Sequence, residues 1–190
     1  MKLKAVIVII ALLLIVRRLS ASSNRIMSDV NVIDQAKEFL RKKEGFVKKA
    51  MWDVNAWRLG YGSDTIVVNS DGMFRKVKEG DVTTQPFAEI DLARRIQNEF
   101  IPKIKKRIGG DEVWNKLPSG MKVALISFAY NYGDIIKKAI VNAVKNYSGN
   151  TQPIADAWIK STYDDNKGLP ERTREVLRNR RKSEVELFHK

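Results

Sequence analysis

The hydrophobic positions of this 190-residue chain fall into three regimes. The first is an unbroken apolar run from Ala5 to Val16, preceded by Lys2 and Lys4 and closed by Arg17 and Arg18. It is shorter than the ~20 residues that usually span a bilayer, and it has the charged and apolar regions of an export signal. Ser20-Ala21-Ser22 offers small residues near a cleavage point, yet Arg17 and Arg18 stand where a cleavable signal is normally uncharged. A short uncleaved anchor, with cationic side chains snorkelling at both ends, fits the pattern better. Residues 1–19 are therefore read as a signal-anchor or signal peptide, 20–28 as a small polar linker, and 29–190 as one globular domain.

The second regime starts with a helix. Ser28 or Asp29 serves as N-cap, Ile33, Ala36, Phe39 and Leu40 recur at helical spacing, and Gly45 is a good C-cap. Continuing that face four residues beyond Leu40 reaches Glu44 in the last turn. A carboxyl there is expected to be partly removed from water, as a general acid requires. From Phe46 to Val77 the strand formers Trp52, Val54, Trp57, Leu59, Tyr61, Ile66, Val67 and Val68 alternate with glycines, and Asn69-Ser70-Asp71-Gly72 marks a turn. This predicts a small antiparallel sheet of two or three strands at the rim of a cleft.

The rest is helical. Thr84-Gln85-Pro86 and Thr151-Gln152-Pro153 are matching helix starts. The first opens a long spine with Ile90, Ala93, Ile96, Phe100, Ile104 and Ile108 along one side, a kink at Pro102 and a stop at Gly109-Gly110. Leu117 to Tyr132 is apolar nearly all round and predicts a buried central helix ended by Gly133; amphipathic helices follow near 135–147, 152–162 and 170–188. The fold class is α+β. A small antiparallel β-hairpin lobe and a larger helical lobe are joined by a long helix, and an N-terminal hydrophobic helix precedes them.

Composition narrows the chemistry. With no cysteine and one histidine, the penultimate His189, disulfides, thiolate or histidine metal sites and Ser/His/Asp or Cys/His catalysis are nearly excluded. No metal and no cofactor are expected. The formal charge of +13 favours a polyanionic partner, and bacterial wall polymer or an anionic membrane fits better than nucleic acid, which is not expected. Carboxylate chemistry remains. Glu44 and Asp53, nine positions apart and separated by a turn and a strand, suit the division of acid and base work on a glycosidic bond. Trp52, Trp57 and Tyr61 can stack on sugars or form the hairpin's own core.

Three blocks resemble the phage-type lysozymes and endolysins of glycoside hydrolase family 24. They are Glu44-Gly45 through Asp53 to Gly60-Tyr61-Gly62, then Leu117-Pro118 with Ala124 to Gly133 (ALISFAYNYG), and then Arg180-Arg181 through Glu184 to Leu187-Phe188. The resemblance implies a lysozyme-like fold and a muramidase acting on peptidoglycan glycan strands as a monomer, at the periplasmic wall or in a virion. It implies Glu44 as general acid, Asp53 as the second carboxylate, Asn131 as a polar cleft-floor residue, and Arg172 as the arginine paired with the glutamate. Arg180 and Arg181 read as a solvated face or as partners of Glu184. Three departures stand out: Arg58 replaces the usual Thr, Ser63 replaces the usual His, and the Asp53-to-Gly60 spacing is one residue short. Arg58 can hold Asp53 ionised and contact substrate, with Tyr61, Ser63 and Thr65 as binding or water-positioning candidates. Hydrolysis, intramolecular transglycosylation and glycan binding without catalysis all stay open.

Overall fold

The computed structural model describes residues 29–133, 137–164 and 168–189, so the N-terminal anchor and linker lie outside the described residues. A first helix, α1, covers residues 29–44. Val32, Ala36 and Leu40 form a buried ridge at four-residue spacing, the vertical neighbours of a 3.6-residue turn. Gly45 stops the helix in the left-handed region (φ 68°), its N–H donating to Arg41 O at 3.1 Å.

Two antiparallel hairpins follow, each its own two-stranded sheet: β1 (Val47–Asp53) with β2 (Ala56–Gly60), and β3 (Thr65–Val67) with β4 (Phe74–Lys76). The expected two or three strands are thus four, because the Asn69–Gly72 turn returns a second strand that a mostly exposed FRK stretch conceals from pattern reading. Trp52 faces Trp57 across the first hairpin and Met51 faces Arg58, so period-two alternation puts Asp53 and Arg58 on one face and both tryptophans on the other. The two-residue turn forces Val54 to a positive φ of 53°, a conformation costly for a β-branched residue. Ala50, Leu59, Ile66 and Val77 form a small core between the hairpins.

The spine consists of α2 (Gln85–Arg95), a single π-helical turn (Ile96–Phe100) and α3 (Ile101–Ile108). Thr84 occupies the N-cap position of α2, although its side chain makes no capping bond. The irregularity expected at Pro102 lies just before it. Pro102 has no N–H to give and its ring crowds the carbonyl four residues back, and a wider turn accommodates both. The buried stripe runs through Ala88, Leu92, Ile96, Phe100, Ile101, Ile104 and Ile108, while Ile90 is exposed. The acidic Asp91 takes a buried place in that stripe because it collects the hydroxyls of β3, as described below.

Past Gly109, a short α4 (Asp111–Lys116), which periodicity did not reveal, sends Trp114 into the core. The expected central helix is α5 (Ser119–Tyr132), buried without interruption from Gly120 to Ala129 and ended by Gly133 at φ 68°. Around it stand α6 (Lys138–Lys145), α7 (Gln152–Asp164), α8 (Glu171–Val185) and a closing 3-10 turn (Glu186–His189). Phe128, Trp158 and Phe188 interlock edge to face, with centroids 5.2 and 5.3 Å apart. The architecture is the small β lobe, spine and helical lobe read from the sequence.

Candidate active site

A cleft of about 340 Å³ opens between the hairpins and the helical lobe. Glu44, Asp53 and Arg58 form one side, Arg95, Glu99 and Lys103 line the spine wall, and Tyr130 and Asn131 lie on the floor. Both carboxylates singled out from the sequence therefore line the same cavity, in different surroundings. Glu44 is the next step of the Val32–Ala36–Leu40 ridge, and its side chain keeps 21% of its exposure. Its Oε1 is buried and ion-paired with Arg180 Nη1 at 2.8 Å. Its Oε2 faces the hairpin rim, where a Cβ built on Gly62 would come within 3.7 Å. Asp53, at the hairpin tip, is 59% exposed, and its Oδ2 lies 2.9 Å from Arg58 Nε. Arg58 also donates from Nη1 to Gly62 O at 3.3 Å, which ties the guanidinium to its own hairpin.

The other residues expected at the site divide. Asn131 lines the cleft, and Arg181 Nη2 donates to its Oδ1 at 2.8 Å, committing that oxygen and leaving the amide N–H groups for the cavity. Tyr61 is buried under the lobe, donating from its hydroxyl to Glu89 Oε1 at 2.8 Å, with its ring 5.8 Å from Phe46. Ser63 and Thr65 are buried as well. Ser63 Oγ donates to Asp91 Oδ2 at 2.6 Å and Thr65 Oγ1 to Asp91 Oδ1 at 2.9 Å. Arg94 and Arg95 donate to the same hydroxyls, each at 2.9 Å. These hydroxyls latch the β lobe onto α2 and do not line the cleft, which corrects the water-positioning expectation. Arg172 is exposed at the start of α8, away from the cleft lining.

The arginine that reaches Glu44 is Arg180. Reading it as a partner of Glu184 was half the story, since its Nε also lies 3.4 Å from Glu184 Oε1. Arg180 and Arg181 are buried rather than solvated. The run holds Arg172, Arg174, Arg178, Arg180 and Arg181, and nothing local says which of them the docking of α8 turns inward. Glu184 is fully buried; burial pushes its carboxyl above the ordinary glutamate range, and Arg181, Ser127, Trp158 and Arg180 pull it back. Sequence reasoning also missed Arg95, Glu99 and Lys103, which follow one another at four-residue spacing along the spine and line the cleft. Tyr130 was missed too. Burial raises its phenol well above the usual value, so it stays protonated and donates to Tyr61 O at 2.6 Å.

Chemically, one side of the cleft offers a sheltered Glu44 and a solvated Asp53, each against a guanidinium, facing the spine wall of Arg95, Glu99 and Lys103. Among the described residues, no cluster of His, Cys, Asp or Glu could hold a metal. A carboxylate-lined cleft between a small β lobe and a helical lobe is the lysozyme-like architecture. The muramidase domain of SpmX from Asticaccaulis excentricus superposes with a TM-score of 0.58 at 21% identity, covering 82% of this chain and 95% of that one, a likeness of fold. No curated protein matches the chain. The phage lysozyme family profile matches residues 41–184, and the chain belongs to the phage lysozyme family.

Proposed function

We propose that the protein is a muramidase that cleaves the β-1,4 bond between N-acetylmuramic acid and N-acetylglucosamine in peptidoglycan. The observation that carries the reading is the shared cleft of Glu44 and Asp53 in unlike environments. Glu44 in its protonated form gives its proton to the leaving glycosidic oxygen as the bond to the anomeric carbon breaks. Asp53, paired with Arg58, stabilises the positive charge developing on the sugar and takes a proton from the attacking water, whose oxygen bonds to the anomeric carbon and leaves a new reducing end. The amide N–H groups of Asn131 hold a substrate oxygen from the floor. Cationic charge holds the enzyme on an anionic wall, and residues 1–19 tether it to the bacterial membrane.

One observation favours a second outcome. Among the described residues no Ser or Thr hydroxyl lines the cleft, and Arg58, which cannot accept a proton from water, stands where the family usually has Thr. A lytic transglycosylase needs no external water. Glu44 protonates the departing oxygen, its resulting carboxylate takes the proton of the muramic acid O6 as that oxygen bonds to its own anomeric carbon, and an anhydro ring results. Turbidity loss of permeabilised bacteria tests the class, and Glu44→Gln is expected to slow it by at least ~100-fold. Equal lysis by the two proteins would sink the catalytic assignment. Product mass decides the outcome, since an anhydro end is one water lighter than a reducing end.

A further inference from the structure

Behind the cleft floor a carboxylate is buried that the proposed chemistry does not use. Glu184 is fully enclosed, and every group that reaches it is a donor or a cation. Ser127 Oγ at 2.6 Å and Arg180 Nε at 3.4 Å meet Oε1, while Trp158 Nε1 at 2.8 Å and Arg181 Nη1 at 2.9 Å meet Oε2. The two arginines then lead outward to different places, Arg180 to Glu44 Oε1 and Arg181 to Asn131 Oδ1, each at 2.8 Å. Ser127 fixes the geometry further by accepting from Arg180 Nη2 at 3.2 Å while it donates to Glu184. Burying such an ion cluster costs desolvation that apolar side chains of the same shape would avoid, and rings already adjoin it: Trp158 donates to Glu184, and the Arg181 guanidinium lies 4.4 Å from the Phe128 ring centroid. Stability alone gives no reason for a carboxylate here.

We propose that Glu184 is a positioning residue for the cleft: its carboxylate aims Arg180 at Glu44 and Arg181 at Asn131, and cancels one of the two positive charges that Glu44 would otherwise face. It touches no substrate. The ionisable and polar groups around Glu44 come from every neighbouring element: Arg180 and Arg181 on α8, Tyr130 and Asn131 on α5, Asp53 and Arg58 on the first hairpin, and Arg95, Glu99 and Lys103 on the spine. Glu184 grips Arg180 from its inner side. Replacing its charge by an amide leaves one more uncancelled positive charge beside Glu44, so ionised Glu44 is favoured and its proton leaves at lower pH.

Carbon-13 titration of the Glu44 carboxyl in the full chain tests this directly. Glu184→Gln is expected to lower the Glu44 midpoint by roughly half to one pH unit, and Glu184→Asp, which keeps the charge, to hold it near the wild-type position. A folded Glu184→Gln protein with an unmoved Glu44 midpoint overturns the proposal. Should that variant fail to fold, coupling is read from the other end, because the Trp158 indole N–H donates to Glu184 and reports on it. Its proton resonance is expected to move on Glu44→Gln, and an unchanged resonance overturns the proposal equally. The kinetic consequence rests on Glu44 being the acid: the basic limb of the pH–rate profile moves down with its midpoint, while a merely structural role lowers only the melting temperature. Both resonance measurements work without turnover, so absence of wall cleavage would sink the muramidase reading and leave this one standing or falling by itself.

Discussion

Glu44 closes α1 and Asp53 closes β1, and what separates the two carboxylates is solvent and partner. Glu44 ends a buried ridge with Arg180 pressed on one oxygen, whereas Asp53 stands at a hairpin tip with Arg58 alongside. Arg58→Ala is expected to free the Asp53 side chain and lower kcat/KM by ~10- to 100-fold with little change in melting temperature, since Asp53 is 59% exposed. Turnover of purified glycan strands alongside a melting curve checks both halves. Thr65→Val tests the opposite class of residue. It removes a hydroxyl that is buried between Asp91 and Arg94, so a loss of about 1–3 kcal/mol is expected, with kcat of the folded fraction unchanged. A collapse of kcat without destabilisation would return Thr65 to the chemistry.

Among the elements, α5 and the spine decide where the cleft walls stand. Helix α5 is buried on all sides, and the closing 3-10 turn presses so closely on it that a Cβ at Gly120 would sit 1.8 Å from Leu187 O. Backbone cannot yield as a side-chain tip would. Gly120→Ala is therefore expected to destabilise by more than about 2 kcal/mol, seen as a lower denaturation midpoint, even though alanine is the better helix former. An unchanged midpoint would mean that the closing turn is loosely held. The spine shows the limit of periodicity. Its apolar residues predict one helix, and they do so correctly on each side of the π turn, but the turn rotates one half against the other. Arg95, Glu99 and Lys103 are cleft residues because the hairpins stand over that side of the spine, a placement that no window of sequence encodes by itself.

For the whole molecule, the two lobes depend on polar joints: Asp91 latches β3 to α2, and Asp81 ties the second hairpin to β1. Arg75 grips the Asp81 carboxylate at 2.6 and 2.9 Å, Lys78 N–H adds a third bond at 2.8 Å, and Ala50 N–H donates to Asp81 O at 2.8 Å. Hydrogen bonding to Arg75 is the leading cause that lowers the Asp81 carboxyl from 3.8 to about 2. A depressed carboxylate contributes stability that is fully present above its unfolded value and disappears as pH falls through its folded value. Unfolding free energy is thus expected to decline between about pH 4 and pH 2, and Asp81→Asn to flatten that decline in an acid-denaturation series.

The sequence by itself determined the fold class, the central helix that is apolar nearly all round, and the helix phase that brings Glu44 to the end of a buried ridge. Each of these follows from local periodicity, capping or composition. Tertiary structure alone decided the rest. Arg180 rather than Arg172 meets Glu44 because the docking of α8 selects one of five arginines, and helical phase cannot be fixed without the surface it packs against. Ser63 and Thr65 left the cleft because Asp91, 28 and 26 residues away, offered their hydroxyls a buried acceptor. Glu184, unremarkable among the charges of a basic helix, became the node between Glu44 and Asn131. A contact between residues so far apart in the chain leaves no trace in the spacing of either.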